Sequence, residues 1–204
     1  MNPLHAVLAM PEPDRMHFLQ QLETLFAEID EAYETAAAEY GFSCNGCDDN
    51  CCLTRFHHHT LLELAALEAS FSALPPSERQ DAARRAKDVL SGYEAADRIG
   101  RTPRLMCPLN VTQRCRLYRS RPMICRMHGI PHVIRGPGRV PAFGAGCADF
   151  ERRCKDRPGK VFDRTPLYRK MAALEQTFRT AAGCTEKMKL TVADMVLLFE
   201  GAAP

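Results

Sequence analysis

Cys44-Asn45-Gly46-Cys47-Asp48-Asp49-Asn50-Cys51-Cys52 sets four thiols within nine residues, the last two adjacent. Four sulfurs this close cannot all enter one core or all pair with one another, so the stretch reads as a nucleus that holds something. A C-x2-C turn folds back so that two sulfurs face one point, and a third cysteine four residues on can reach the same point. Gly46 permits the tight backbone such a turn needs.

Working outward, the N-terminal side is helical. Phe18, Leu22, Leu25, Phe26, Ile29, Ala32, Tyr33 and Ala36 recur at three-to-four spacing, which predicts an amphipathic helix over 14–40, with Asp14 as its cap and Gly41 as its end. After the nucleus and the run His57-His58-His59, Thr60 and Glu63 have the spacing of a capping box. A second helix over 60–74 follows, with Leu61, Leu62, Leu64, Leu67 and Phe71 on its apolar face. Pro75 and Pro76 stop it. Ser77 and Gln80 suggest another capping box for a third helix over 77–98, which buries Ala82, Ala83, Ala86, Val89, Leu90 and Tyr93.

From Arg101 to Thr165 prolines and glycines leave no room for a long helix. So long an irregular stretch needs pins, and Cys107, Cys115, Cys125, Cys147 and Cys154 are available. Extended pieces at 132–135 and 139–143 around Gly136-Pro137-Gly138 suggest a small hairpin. Thr165-Pro166 then opens a helix, and Thr191 caps a short last one at 192–199; together these form a C-terminal helical region, 165–200. The expected architecture over 1–204 is a single, mainly α domain: a small helical bundle clasping an irregular cysteine-rich insert, with a core region at 42–150.

Charge is divided along the chain. Residues 1–97 carry 6 basic and 17 acidic groups, residues 98–160 carry 15 and 3, and residues 161–204 carry 6 and 5. The basic block can pair with the acidic helices, neutralise thiolates, or attract an anionic partner. The first two readings outweigh the third. Nucleic-acid binding is disfavoured, because aromatic residues are sparse in the block and the chain has no tryptophan. Ten cysteines in 204 residues fall below the roughly 8 to 10% of a disulfide scaffold. With no basic leader or membrane-length apolar run in the sequence, the expectation is a soluble, cytoplasmic protein whose clustered cysteines serve metal or redox chemistry.

Cys107-Pro108-Leu109, followed by Cys115-Arg116-Leu117-Tyr118-Arg119-Ser120-Arg121-Pro122-Met123-Ile124-Cys125-Arg126, resembles the signature of the zinc- or iron-chelating cysteine-cluster family, the YkgJ-type proteins. That signature runs from a C-x2-C…CC nucleus through a CP pair and C-x2-Y-x2-RP-x2-CR to one more cysteine, here Cys147. The resemblance covers about residues 42–150. One departure is that three residues, not two, separate Cys47 from Cys51. The resemblance implies a metal or iron-sulfur centre held by Cys44, Cys47, Cys51, Cys52, Cys107, Cys115, Cys125 and Cys147.

Thiolates favour zinc, copper(I) or iron-sulfur. Eight could hold two zincs, and four could hold one [4Fe-4S] cluster. The adjacent Cys51 and Cys52 suit a cluster with separate irons better than one ion, because neighbouring side chains diverge. Arg121, Arg126 and Tyr118 are the candidates for outer contacts to such a centre; the competing reading has Arg116, Arg119, Arg121 and Arg126 facing the acidic helices and Tyr118 packing locally. His57, His58, His59 and His128 are weaker ligand candidates, and Cys154 and Cys184 read as ordinary buried thiols.

The leading expectation is an iron-sulfur protein, [4Fe-4S] favoured, in electron transfer, redox sensing or cluster-assisted catalysis with a redox or protein partner. The alternatives are a zinc-stabilised interaction module without catalysis, and an enzyme. The flagellin lysine N-methylases resemble the same cysteine motif, which would imply S-adenosylmethionine as a methyl donor.

Overall fold

The computed structural model describes residues 3–44 and 51–201; Cys47 lies outside them. Among the described residues the chain is mainly helical, with short strands in two small sheets. The helices are α1 (Pro3–Leu8), α2 (Glu12–Glu39), α3 (Leu61–Ser72), α4 (Pro76–Arg98), α5 (Met123–Arg126), α6 (Ala148–Cys154), α7 (Thr165–Ala181) and α8 (Val192–Gly201). None of them is long and apolar enough to cross a membrane.

α3 is the central element. Leu61, Leu62, Leu64, Ala65, Leu67 and Phe71 are all buried, because α1, α2, α7 and α8 pack around it. A helix enclosed on most sides needs apolar residues on more than one stripe, which explains its leucine density. α2 lies along α7, with Phe18 edge-on to Phe178 at 5.2 Å. α8 packs on α4 and α3, with Phe199 against Phe71.

The helix starts differ from the sequence expectation. α2 begins at Glu12 behind Pro11, and Asp14 lies in the first turn rather than at the cap. α4 begins at Pro76 without a side-chain cap, so the box at Ser77 and Gln80 does not form. The start of α3 is more informative. Thr60 does bond Glu63, but the N–H groups of Leu61 and Leu62 donate to the carboxylate of Glu175 on α7, at 2.7 and 2.9 Å. Glu63 accepts from the Met123 N–H at 2.6 Å. A buried carboxylate from a remote helix thus replaces the local cap, which sequence spacing cannot reveal. Replacing Glu175 by Ala strands two buried N–H donors and leaves Arg179, its partner at 2.5 Å, without a carboxylate. The expected cost is roughly 3 kcal/mol in urea unfolding, against under about 0.5 kcal/mol for an ordinary surface change.

Between α4 and α7 the chain is irregular, as anticipated. Asn110–Val111 (β1) pairs with Arg114–Cys115 (β2). His132–Ile134 (β3) pairs antiparallel with Ala142–Gly144 (β4), the hairpin expected around Gly136-Pro137-Gly138. Phe162–Asp163 (β5) adds a parallel strand on the other side of β3. α1, β1, β2, α5, α6 and β5 were not anticipated; each is too short to show a period.

Candidate metal centre

One cavity of about 770 Å³ collects Cys44, Cys51, Cys52, Cys107, Cys115, Cys125 and Cys147 on its walls. These are all the nominated cysteines among the described residues. Cys154 and Cys184 are buried elsewhere.

Each thiol is brought there by a short backbone device. Cys51 and Cys52 open a single 3-10 turn, Cys51–Leu53, and the Cys107 N–H donates to the Cys52 carbonyl at 2.8 Å, tying the insert to the nucleus. The β1–β2 hairpin returns the chain so that Cys115 pairs with Asn110, three residues after Cys107. Its two-residue turn sets Thr112 and Gln113 at φ 50° and 64°, a left-handed pair usually given to Asn-Gly. Thr112→Asn with Gln113→Gly removes that strain and should stabilise the protein by about 1 kcal/mol or more, read as a higher urea midpoint with an unchanged slope. Cys125 sits in α5, and Cys147 is the N-cap of α6, its sulfur accepting from the Phe150 N–H at 3.4 Å. The Cys147 N–H donates to the Gly129 carbonyl. Gly129 has φ 121°, and a β-carbon there would lie 2.9 Å from the Tyr33 hydroxyl and 3.9 Å from the Cys147 sulfur. Only glycine lets the backbone pass so close to both.

The thiols fall into two neighbouring sets. Cys125 is held far above the ordinary thiol range by burial and by the facing Cys107, Cys52 and Cys115. Burial likewise pushes Cys107 up to about 12, with Cys52 and Cys115 adding to it, and raises Cys115, again with Cys52 beside it. Within the adjacent pair, the hydrogen bond between the two thiols raises Cys51 and lowers Cys52, and the Asn110 side-chain amide lowers Cys52 further. Backbone N–H groups of Leu109 and Asn110 point at the Cys107 sulfur, and that of Leu117 at Cys115. Such donors favour thiolate over thiol. The second set, Cys44, Cys51 and Cys147, surrounds Tyr33.

Four neighbouring, half-buried thiols, two of them with backbone N–H groups aimed at their sulfurs, suit a soft, positively charged centre, which relieves both the burial penalty and the repulsion. No three His, Cys, Asp or Glu among the described residues are arranged to hold a single ion.

Arg121 and Arg126 line the cavity, but their guanidinium groups are directed at Asp30 of the acidic helix α2, at 3.0 and 2.5 Å. Arg126 also donates to the Arg121 and Arg119 carbonyls and stacks on Phe26. Arg121 stacks on Tyr118, which is largely exposed, and lies close enough to Cys115 to favour its thiolate. Arg116 pairs with Glu78. The basic block therefore does complement the acidic helices.

His59 bonds the Met188 carbonyl, while His58 and His128 line the cavity. Burial depresses both to about 4, helped by His57 and His59 around His58, and by Arg164 and His132 around His128. A folded value below the unfolded one of roughly 6.5 means the folded state favours the neutral rings. Stability is therefore complete above pH 6.5 and declines as pH falls towards 4, by on the order of 3 kcal/mol per ring. His58→Phe should remove about half of this acid loss, measured as the difference between urea unfolding free energies at pH 7 and pH 4.5.

Three residues of the site were not anticipated. Tyr33 and Asn110 line the cavity with a buried hydroxyl and amide that lack an oxygen or nitrogen partner, and Arg164 lies close to Tyr33. His58, one of the weaker ligand candidates, has its Nε2 likewise unpartnered. On the sequence Tyr33 is simply one member of an apolar stripe, and Arg164 a charge before a helix. Compared with protein-family models, with curated proteins and with solved structures, the chain matches none.

Proposed function

We propose that this chain is a cysteine-ligated metalloprotein, a [4Fe-4S] iron-sulfur protein serving electron transfer, redox sensing or cluster-assisted catalysis. The observation that carries the reading is the convergence of seven nominated thiols, from three separate stretches of sequence, on one cavity. Cys52, Cys107, Cys115 and Cys125 would supply the four ligands. They are neighbours in one electrostatic group, and burial raises Cys107, Cys115 and Cys125. The order of motifs that resembles the YkgJ-type signature contains these four among its eight cysteines.

The adjacent Cys51 and Cys52 favour a cluster over a single ion, because neighbouring side chains diverge. Around one zinc the sulfurs would stand about 3.8 Å apart, the edge of a tetrahedron with bonds of about 2.3 Å. The described thiols instead line an extended cavity, without single-ion geometry. When bound, such a cluster supplies one-electron chemistry. The chain's own part is to hold the ligands by the β1–β2 hairpin and α5, to direct N–H groups at the sulfurs, and to keep the apolar wall of Leu67 and Leu109 against the site.

A second reading, a zinc-stabilised module, draws on the backbone N–H groups around Cys107, which suit a zinc thiolate equally. Protein purified without oxygen distinguishes the two. A brown solution whose broad visible absorption bleaches with a strong reductant supports the cluster, and a colourless zinc protein overturns it.

A further inference from the structure

Arg164 is 2% exposed. It donates to the Met127 carbonyl and bonds the Tyr168 side chain, while its Nε has no partner. Among the described residues no carboxylate pairs with it. Three other arginines at or near the cavity differ: Arg121 and Arg126 share Asp30, and Arg55 pairs with Asp97 at 2.8 Å. Arg114, also on the wall, is exposed to solvent. A buried guanidinium without a counter-ion is costly, and burial accordingly draws Arg164 down to about 10.

Two residues that line the cavity stand next to this charge. Tyr33 and His128 each feel Arg164 directly. The Tyr33 hydroxyl is buried, has no partner, and lies beside Cys44, Cys147 and Cys51. Geometry joins the two: the Met127 carbonyl that Arg164 holds immediately precedes His128 on the cavity wall, and Arg164 and Tyr33 both lie against Phe162. If every cavity sulfur were a neutral thiol, no carboxylate among the described residues would pair with Arg164. Four thiolates around a centre of charge +2 leave a net −2, which would offset its charge.

We propose that Arg164, with Tyr33 beside it, is the counter-charge for a thiolate-bound centre in the cavity and sets how tightly that centre is held and how easily it is reduced. This rests on the metalloprotein reading. Removing the cation should weaken the loaded state while relieving the unloaded one.

The test compares wild type, Arg164→Met, Arg164→Lys and Tyr33→Phe, each as purified without oxygen and after stripping by a chelator. The expected result is that stripped Arg164→Met melts no lower than stripped wild type, yet gains less on loading and gives up metal at about a tenfold lower chelator concentration. Arg164→Lys should restore most of the difference. For an iron-sulfur centre, a tenfold preferential loss of the reduced form is a shift of about 59 mV to more negative potential. Tyr33→Phe, which removes the hydroxyl and keeps the charge, should give a smaller shift of the same sign. Should a stripped chain not fold, chelator competition on the loaded proteins gives the answer alone. Equal loss of stability in both states, or unchanged chelator resistance in Arg164→Met, would overturn the proposal and make Arg164 an anchor for the Met127 carbonyl. A wild type that holds no metal and gains nothing on loading would overturn the metalloprotein reading itself.

Discussion

Cys125→Ser is expected to reduce bound metal to about a tenth of the wild-type content or less and to destabilise the fold, since metal binding at a site assembled only on folding is folding free energy. Cys125 is the thiol whose surroundings are most restrictive: burial raises it, three other cysteines face it, and Glu63 lies nearby. Serine preserves the size but offers a hard, protonated oxygen where a soft thiolate is needed. Cys184 provides the control. It is 5% exposed and does not line the cavity, so Cys184→Ser should cost some stability and leave the metal content unchanged. Metal per chain, measured by elemental analysis on both variants, separates the two. Equal metal loss in both would mean that the assignment of ligands is wrong.

Asp30→Ala is expected to cost roughly 3 kcal/mol, because it abandons two guanidinium groups at once. Arg126 is almost fully buried, with its side chain 4% exposed, and Arg121 is 16% exposed. Together they anchor the stretch 119–126 to α2, and with it the cavity wall that carries Cys115 and Cys125. The double variant Asp30→Ala, Arg126→Met should recover part of the loss, since it no longer buries an unpaired charge. Urea unfolding of the three proteins checks this; a loss for Asp30→Ala below about 0.5 kcal/mol would contradict it.

Much of the fold could be read from local patterns. The stripe from Phe18 to Ala36 with Gly41 behind it, Thr165-Pro166, and Thr191 before α8 all act within a few residues of where they are read. Thr191 caps α8 reciprocally with Asp194: its hydroxyl accepts from the Asp194 N–H, and its own N–H donates to the Asp194 carboxylate. Glu175 is different, because it serves donors 114 and 113 positions away. No local pattern marks it, and Thr60 and Glu63 present a local alternative that the folded protein uses only in part.

The site divides in the same way. The cysteines were visible because their spacing has no ordinary structural explanation. Arg121 and Arg126 were visible as charges, but their orientation depends on Asp30, which a sequence shows only as one of many acids on α2. Tyr33 and Arg164 were not visible at all. What distinguishes them is a buried polar atom left unpartnered, the Tyr33 hydroxyl and the Arg164 Nε, a property that exists only once α2, α7 and the insert have come together.

The most direct test of the central claim is the iron, zinc and acid-labile sulfide content per chain of protein purified without oxygen. The account predicts iron and sulfide in equal amounts, near four of each per chain for one filled [4Fe-4S] site. Zinc without sulfide, or a folded chain containing neither metal nor sulfide, would contradict it.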